Sequence, residues 1–136
     1  MPRKGKVYPL SREEREEVHE FIQEQLGKGY IRPSKRLPQT APVFFVGKKD
    51  GKKRMVQDYR YLNEWTIKNN YPLPLILDIV ENIGTKKVFT KMDLRWSYNN
   101  VRIKEGDEWK AAFMKPEGSF EPIVIFFGLT NSPATF

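Results

Sequence analysis

The chain contains no cysteine, which excludes disulfides, zinc–thiolate sites and a cysteine nucleophile. Its single histidine, His19, lies in a strongly charged segment, so we interpret it as a surface residue and do not expect a histidine-based triad. No window approaches the roughly 18 apolar residues of a membrane-spanning helix. The basic first residues are followed by no apolar stretch, so we expect an intracellular protein, in the cytoplasm or nucleus, that is not secreted.

Positive charge is concentrated in the first half of the chain. The formal net charge is +7, and residues 28–60 carry ten basic and two acidic side chains. The densest cluster consists of Lys48, Lys49, Lys52, Lys53 and Arg54. Such an excess suits a phosphate backbone or a triphosphate. The alternative is a lysine-rich hairpin tip that protects a sheet edge from aggregation.

A helix is predicted near the start of the chain. Ser11 and Glu14 have the spacing of a capping box, in which each side chain satisfies a free amide at the helix start. The helix should continue to about Leu26 and end at Gly27 and Gly29. Four apolar residues at helical spacing mark its buried face: Val18, Phe21, Ile22 and Leu26.

The remaining pattern predicts strands and one further helix. Strands over 42–46 and 52–58 flank Asp50-Gly51, a strong signal for a two-residue hairpin turn. A short helix is expected over 75–83, between Pro74 and Gly84. Alternating or apolar runs predict strands over 87–92, 99–104, 109–114 and 119–127. The pattern therefore predicts an α+β fold.

Three segments resemble motifs of the reverse transcriptase family. The fingers motif corresponds to A-P-V-F-F-V-G-K-K-D-G-K-K-R-M-V-Q-D-Y-R-Y-L-N at 41–63. The first palm motif corresponds to F-T-K-M-D-L-R-W-S-Y-N-N-V-R-I at 89–103, and the next motif to F-F-G-L-T-N-S-P-A-T-F at 126–136. The order and spacing are similar to those of gypsy-class LTR retrotransposons, which are related to the retroviral enzymes. The resemblance spans roughly 7–136.

The resemblance implies two parts of a right-hand polymerase. Residues 1–86 would form the N-terminal arm, the helix and the fingers with their basic β-hairpin. Residues 87–136 would form a partial palm with a truncated antiparallel sheet. The implied activity is RNA-directed DNA synthesis, with an RNA or DNA template-primer and deoxynucleotides as partners and no membrane.

The resemblance also implies the site residues. Asp93 matches the first of three catalytic aspartates that bind two Mg²⁺ ions, which stabilise the charge that develops in phosphoryl transfer. Lys48 and Arg54 match residues that clamp the triphosphate, with Lys49 as the alternative if the register slips by one. Phe127 stands where retroviral enzymes have glutamine.

The turn after Asp93 matches the rest of the nucleotide site. Leu94 matches a position whose carbonyl faces a metal, and Arg95, Trp96 and Ser97 match a turn whose amides face the triphosphate. Tyr98 matches the aromatic residue that packs under the sugar and excludes a 2′-hydroxyl. Three residues match positions beside the template strand: Asp58, Arg60 and Gly128.

The sequence departs from the family pattern in three places. Ser97 replaces a usual glycine and Phe126 a frequent proline. No Tyr-x-Asp-Asp hairpin, which carries the other two metal-binding aspartates, occurs in the chain. One carboxylate cannot hold two Mg²⁺ ions, so we expect this chain alone to be inactive and to bind nucleic acid weakly.

Two other interpretations remain open, and the reading frame after Phe136 separates them. The chain would be either a domesticated, non-catalytic binding module for nucleic acid or protein, or an inert piece of a longer enzyme. Ser132-Pro133 is a helix-start signal, but only three residues follow it, so the helix that should cover one palm face is not expected to form, and 123–127 is strongly apolar. We therefore expect self-association through the truncated palm, roughly residues 109–136.

Overall fold

The computed structural model of the chain describes residues 6–34, 39–47, 49, 51 and 53–136. Short 3₁₀ helices span Ser97–Asn100 and Glu108–Ala111. The other elements of the described residues are, in chain order, α1 (Arg12–Gly27), β1 (Ile31–Pro33), β2 (Ala41–Gly47), β3 (Lys53–Gln57), α2 (Arg60–Trp65), α3 (Ile76–Gly84), β4 (Phe113–Lys115), β5 (Gly118–Pro122) and α4 (Ser132–Thr135).

Helix α1 begins and packs as the sequence predicts. The Ser11 hydroxyl accepts a hydrogen bond from the Glu14 amide, and the Glu14 carboxylate accepts one from the Ser11 amide. Val18 and Ile22 are buried, while Phe21 and Leu26 pack partly buried against the same core. Burying a side chain of this size stabilises the fold by about 1.5–3 kcal/mol. The capping box and the apolar face together fix where α1 starts and which side faces the sheet.

Five strands form one mixed sheet in the order β1-β5-β4-β2-β3. The predicted hairpin is confirmed as the antiparallel pair β2 and β3, in which Val46 lies opposite Arg54. Strand β2 also pairs in parallel with β4, and β5 pairs antiparallel with both β4 and β1. The sheet thus combines strands from both sides of the boundary proposed at residue 86, and that boundary stays a prediction.

The core lies between α1 and this sheet. Its buried side chains come from both ends of the chain: Val18, Ile22, Ile31, Ala41, Val43, Tyr59, Ala111, Phe113 and Phe126. Phe113 is completely buried, and its ring stacks on that of Phe120. The core therefore joins the N-terminal helix and hairpin to the C-terminal strands, whereas the segment that contains Asp93 contributes no side chain to it.

The strand predicted over 87–92 is wrong, since the backbone there is irregular. A strand forms only where a neighbouring segment completes its ladder of hydrogen bonds, and no described segment pairs with residues 87–92. The strand predicted over 99–104 is reduced to an isolated bridge between Arg102 and Val124. The stretch predicted over 109–114 begins as a 3₁₀ helix, and the strand over 119–127 shortens to β5.

Residues 67–96, which we call the α3 segment, are exposed throughout. Helix α3 is confirmed close to its predicted bounds, yet none of its residues is buried. Its large apolar side chains are instead accessible to solvent: Ile76, Leu77, Ile79, Val80 and Ile83. No helix among the described residues has the length and apolar character needed to cross a bilayer.

Candidate nucleotide and template site

Asp93 lies on irregular backbone just before the first 3₁₀ helix, and its side chain is exposed. Leu94 follows with 63% of its surface exposed. Within the described residues, no group of three or more histidine, cysteine, aspartate or glutamate side chains is placed to hold a metal ion. Asp93 is therefore accessible to a ligand, but the described residues do not surround it with further carboxylates.

Two residues predicted for the nucleotide site come together through the fold. The rings of Tyr98 and Phe127 pack edge to face with their centroids 4.8 Å apart. The ring of Phe136 also packs edge to face with Tyr98, with the centroids 5.8 Å apart. Edge-to-face packing of this kind fixes ring orientation. The first palm motif and the following motif thus meet at one half-buried tyrosine.

The turn between Asp93 and Tyr98 has an unusual backbone. Trp96 has φ 54° and ψ 42°, the left-handed conformation, and its carbonyl accepts a hydrogen bond from the Asn99 amide at 2.9 Å. Ser97, which replaces the usual glycine, begins the 3₁₀ helix and is not among the residues with positive φ. The substitution therefore requires no left-handed backbone at Ser97 itself.

The fingers hairpin places one predicted cation in solvent. Arg54 is exposed on β3 and has no ion-pair partner among the described residues. Lys49 is exposed at the tip, whereas the predicted residue Lys48 lies outside the described residues. Lys53 differs, because its Nζ donates to Glu14 Oε1 at 2.6 Å. Adjacent basic residues of the cluster therefore have separate roles: Lys53 joins the hairpin to α1, and Arg54 remains available to a ligand.

Asp58 and Arg60, which are predicted to lie beside the template, form a paired fork. Arg60 Nε donates to Asp58 Oδ1 at 2.9 Å and Arg60 Nη2 to Oδ2 at 2.7 Å. These bonds hold the pKa of the Asp58 carboxyl below its ordinary value of 3.8 and raise the pKa of Arg60. The Asp58 side chain is 11% exposed and that of Arg60 is 83% exposed. Asp58 therefore anchors a guanidinium that projects into solvent.

The fork lies at a cavity of about 670 Å³. Tyr8, Tyr59 and Tyr61 contribute aromatic walls, and Lys6 and Lys68 contribute positive charge. Thr40 also lines this cavity, although its hydroxyl is buried without a hydrogen-bond partner in the described structure. Aromatic walls and cations are suited to an unpaired nucleotide.

The Gly128 turn is held against this cavity by a residue that the sequence analysis did not single out. Asn63 Nδ2 donates to the Gly128 carbonyl at 2.7 Å, and Asn63 Oδ1 accepts from the Thr130 amide at 2.8 Å. Gly128 has φ +99°, which favours glycine, and the place of its absent Cβ lies 3.5 Å from Tyr59 Cδ2. The only signal for Asn63 was its position at the end of the fingers motif.

Solved structures share this fold. The foamy viral protease-reverse transcriptase in complex with dsDNA matches with a TM-score of 0.80 and 26% identity, over 100% of this chain and 28% of that chain. The selenomethionine-labelled prototype foamy virus protease-reverse transcriptase matches with a TM-score of 0.78 and 28% identity, over 99% of this chain and 18% of that chain. The fold is that of part of a reverse transcriptase polymerase domain.

The family model described as "Reverse transcriptase (RNA-dependent DNA polymerase)" matches residues 46–136. This chain belongs to that family, whose members are polymerases that use divalent metal ions. The Transposon Tf2-3 and Tf2-4 polyproteins of Schizosaccharomyces pombe are each 42% identical to it over 129 residues, or 95% of this chain. The chain spans 10% of the length of these relatives, so it corresponds to a fragment of a retrotransposon polyprotein.

Proposed function

We propose that the chain provides the fingers and first palm segment of an enzyme that synthesises DNA on an RNA template. The observation that carries this proposal is the contact of Tyr98 with Phe127, which joins two separate polymerase motifs at one site. The family match and the retrotransposon relatives support the same activity. In this proposal residues 1–86 act as arm and fingers, and 87–136 as the partial palm.

The incoming deoxynucleotide would lie between the fingers hairpin and the turn after Asp93. Arg54, with Lys48 or Lys49, supplies positive charge for the triphosphate, and the amides of Arg95, Trp96 and Ser97 donate to it. Tyr98 is held by Phe127 and Phe136, so its ring is fixed where it packs under the sugar. A fixed ring at this position discriminates against a 2′-hydroxyl by steric exclusion.

Asp93 is the metal ligand in this proposal. Mg²⁺ usually binds one or two carboxylates together with substrate phosphates and water, so exposed Asp93 and the Leu94 carbonyl fit one nucleotide-bound ion. They do not fit a two-ion centre, which needs further carboxylates. When bound, Mg²⁺ neutralises charge on the phosphates, and the chain's own residues orient the nucleotide.

The template strand would follow the cavity beside Asp58, Arg60 and Gly128. The Arg60 guanidinium projects from its fork, and Lys6 and Lys68 add positive charge at the same cavity. A foamy viral relative has been solved with dsDNA, which supports nucleic acid as the partner. Binding that relies on phosphate contacts is independent of sequence and decreases steeply with salt.

A chimera tests the proposal. The 129 matching residues of the Tf2-3 polyprotein would be replaced by those of this chain, and RNA-templated DNA synthesis would be measured with the unaltered relative as positive control. We expect synthesis that Asp93→Asn abolishes. A chimera that is folded but synthesises no DNA, or whose synthesis survives Asp93→Asn, would contradict the proposal.

A further inference from the structure

Trp96 is the one residue other than glycine with a positive φ in the part of the chain that the structure describes. A bulky side chain is strained in the left-handed region, and such strain persists only where the surroundings hold it. The residues before it, 67–95, are all exposed, so they provide little packing. Some other contact has to stabilise this turn.

Lys28 provides that contact from the end of α1. Its Nζ lies 4.7 Å from the centroid of the Trp96 ring, within the range of a cation–π interaction. Lys28 is also the C-cap residue of α1, and its Nζ donates to Glu24 Oε1 at 2.5 Å. The ammonium is thus oriented by a carboxylate of its own helix and faces the indole of a residue 68 positions later.

The contact joins a rigid element to the turn next to Asp93. Helix α1 is fixed by its capping box and by buried Val18 and Ile22. The Trp96 carbonyl accepts from the Asn99 amide and so begins the 3₁₀ helix that carries Tyr98. A displacement of Trp96 would therefore change the position of the residues on both sides of it.

We propose that Lys28 is a positioning residue that holds the turn 95–97 through Trp96 and so sets the direction of its amides. The turn's role toward a triphosphate rests on the proposed function. Glu24 acts on Lys28 and does not contact the turn itself. The cation matters more than the length of the side chain, because the attraction arises from the quadrupole of the indole.

Trp96 can report on this contact directly in the full chain. Trp65→Phe and Trp109→Phe leave Trp96 as the single tryptophan, and acrylamide quenching and Asn99 amide exchange are then measured. We expect Lys28→Ala and Lys28→Met to increase both rates about threefold to fivefold, the effect of one partly exposed cation–π contact. Lys28→Arg should retain the parent values.

Arg12→Ala is the matched control, since it removes a cation that pairs with a glutamate four residues away on the same helix. It should leave Trp96 unchanged. Equal quenching and exchange in the parent and Lys28→Ala, or an equal increase in Arg12→Ala, would overturn the proposal. The proposal would also be overturned if Lys28→Arg showed the same quenching and exchange as Lys28→Ala while its thermal unfolding matched that of the parent.

A second measurement separates this proposal from the function on which it rests. The amides of residues 95–97 are followed by NMR during titration with dTTP and Mg²⁺. We expect Lys28→Ala to weaken the response about threefold to fivefold, with rescue by Lys28→Arg. An unchanged response in Lys28→Ala would overturn the positioning role. If the parent amides do not respond to dTTP and Mg²⁺, both the nucleotide role of the turn and the positioning role built on it are overturned. Acrylamide quenching would then still decide whether Lys28 holds Trp96.

Discussion

Asp58 and Arg60 form an ion pair whose members differ strongly in exposure. The carboxylate accepts both guanidinium bonds and also the Arg60 backbone amide at 3.2 Å. Its nearly buried side chain has little rotational freedom, so it fixes the orientation of a largely exposed arginine. Arg60 thus presents a directed donor at the cavity proposed for the template, and its charge is partly compensated by Asp58.

The Asp58 pair predicts a specific acid sensitivity. Because the pKa of Asp58 is lowered in the folded protein, its contribution to stability is present above the ordinary value of 3.8 and is lost as the pH falls below it. We expect Asp58→Asn to lower the unfolding free energy at pH 7 and to reduce its dependence on pH below about 4. Urea unfolding at several pH values measures both effects. Parallel pH profiles for parent and variant would contradict the prediction.

Some of the site was predictable at the level of single residues. Tyr98 and Phe127 belong to motifs that the sequence displays, and the structure brings their rings together. Asn63 was missed because its two hydrogen bonds join residues more than sixty positions apart. The contact of Lys28 with Trp96 was missed for the same reason, since nothing local to either residue indicates the other.

The surroundings of Asp93 lead to a prediction about the catalytic activity of this chain alone. No group of three or more histidine, cysteine, aspartate or glutamate side chains in the described residues is placed to hold a metal ion. We therefore expect no template-directed nucleotide addition by the chain alone, with Mg²⁺ or with Mn²⁺. Metal titration without nucleotide should also show only weak binding. Primer extension is the deciding assay, with Asp93→Asn as the control. Extension that the control abolishes would show that one carboxylate suffices.

Glu14 connects two elements of the fold. One of its oxygens closes the capping box of α1, and the other accepts from Lys53 at the start of β3. The Lys53 hydrogen bond lowers the pKa of Glu14, and Glu14 in turn raises the pKa of Lys53. The basic hairpin is thus tied to the N-terminal helix by a residue that also determines where that helix begins.

Two adjacent basic residues of β3 should therefore respond differently to alanine substitution. Arg54→Ala should weaken binding to single-stranded nucleic acid and reduce the slope of log K against log salt by about 1. Lys53→Ala should change this slope less and lower the thermal unfolding temperature more, because it removes the Glu14 contact. Fluorescence anisotropy and calorimetry measure the two effects. Equal salt slopes for the two variants would contradict the assignment.

The elements that formed as predicted carry their signals in local sequence. The capping box and the apolar period of α3 each indicate structure within a few residues, as does the turn signal between β2 and β3, whose Asp50 lies outside the described residues. The strand predicted over 87–92 depends on a partner strand, and its alternation says nothing about whether one exists. Likewise, the parallel pairing of β2 with β4 connects Ala41 with Phe113, a relation that no local pattern contains.

Across the whole molecule, apolar exposure is concentrated in one place. Most of the large apolar side chains that remain accessible lie between Trp65 and Trp96, including Ile76, Val80 and Phe89. Monomeric proteins rarely leave contiguous apolar patches larger than a few hundred Å². By contrast, residues 109–136 include buried Phe113, Ile125 and Phe126 and the paired strands β4 and β5.

Because of this distribution, we expect self-association through the α3 segment rather than through residues 109–136. We expect dimers or larger oligomers at micromolar concentration, because covering a few exposed apolar residues of α3 removes a large unfavourable surface from water. Light scattering over a concentration series measures this. Val80→Glu, on the exposed face of α3, should shift the chain to monomer, whereas Val7→Glu, which alters a valine of similar exposure on the N-terminal arm, should not. A monomeric parent, or equal dissociation by both variants, would show that the α3 segment does not mediate association.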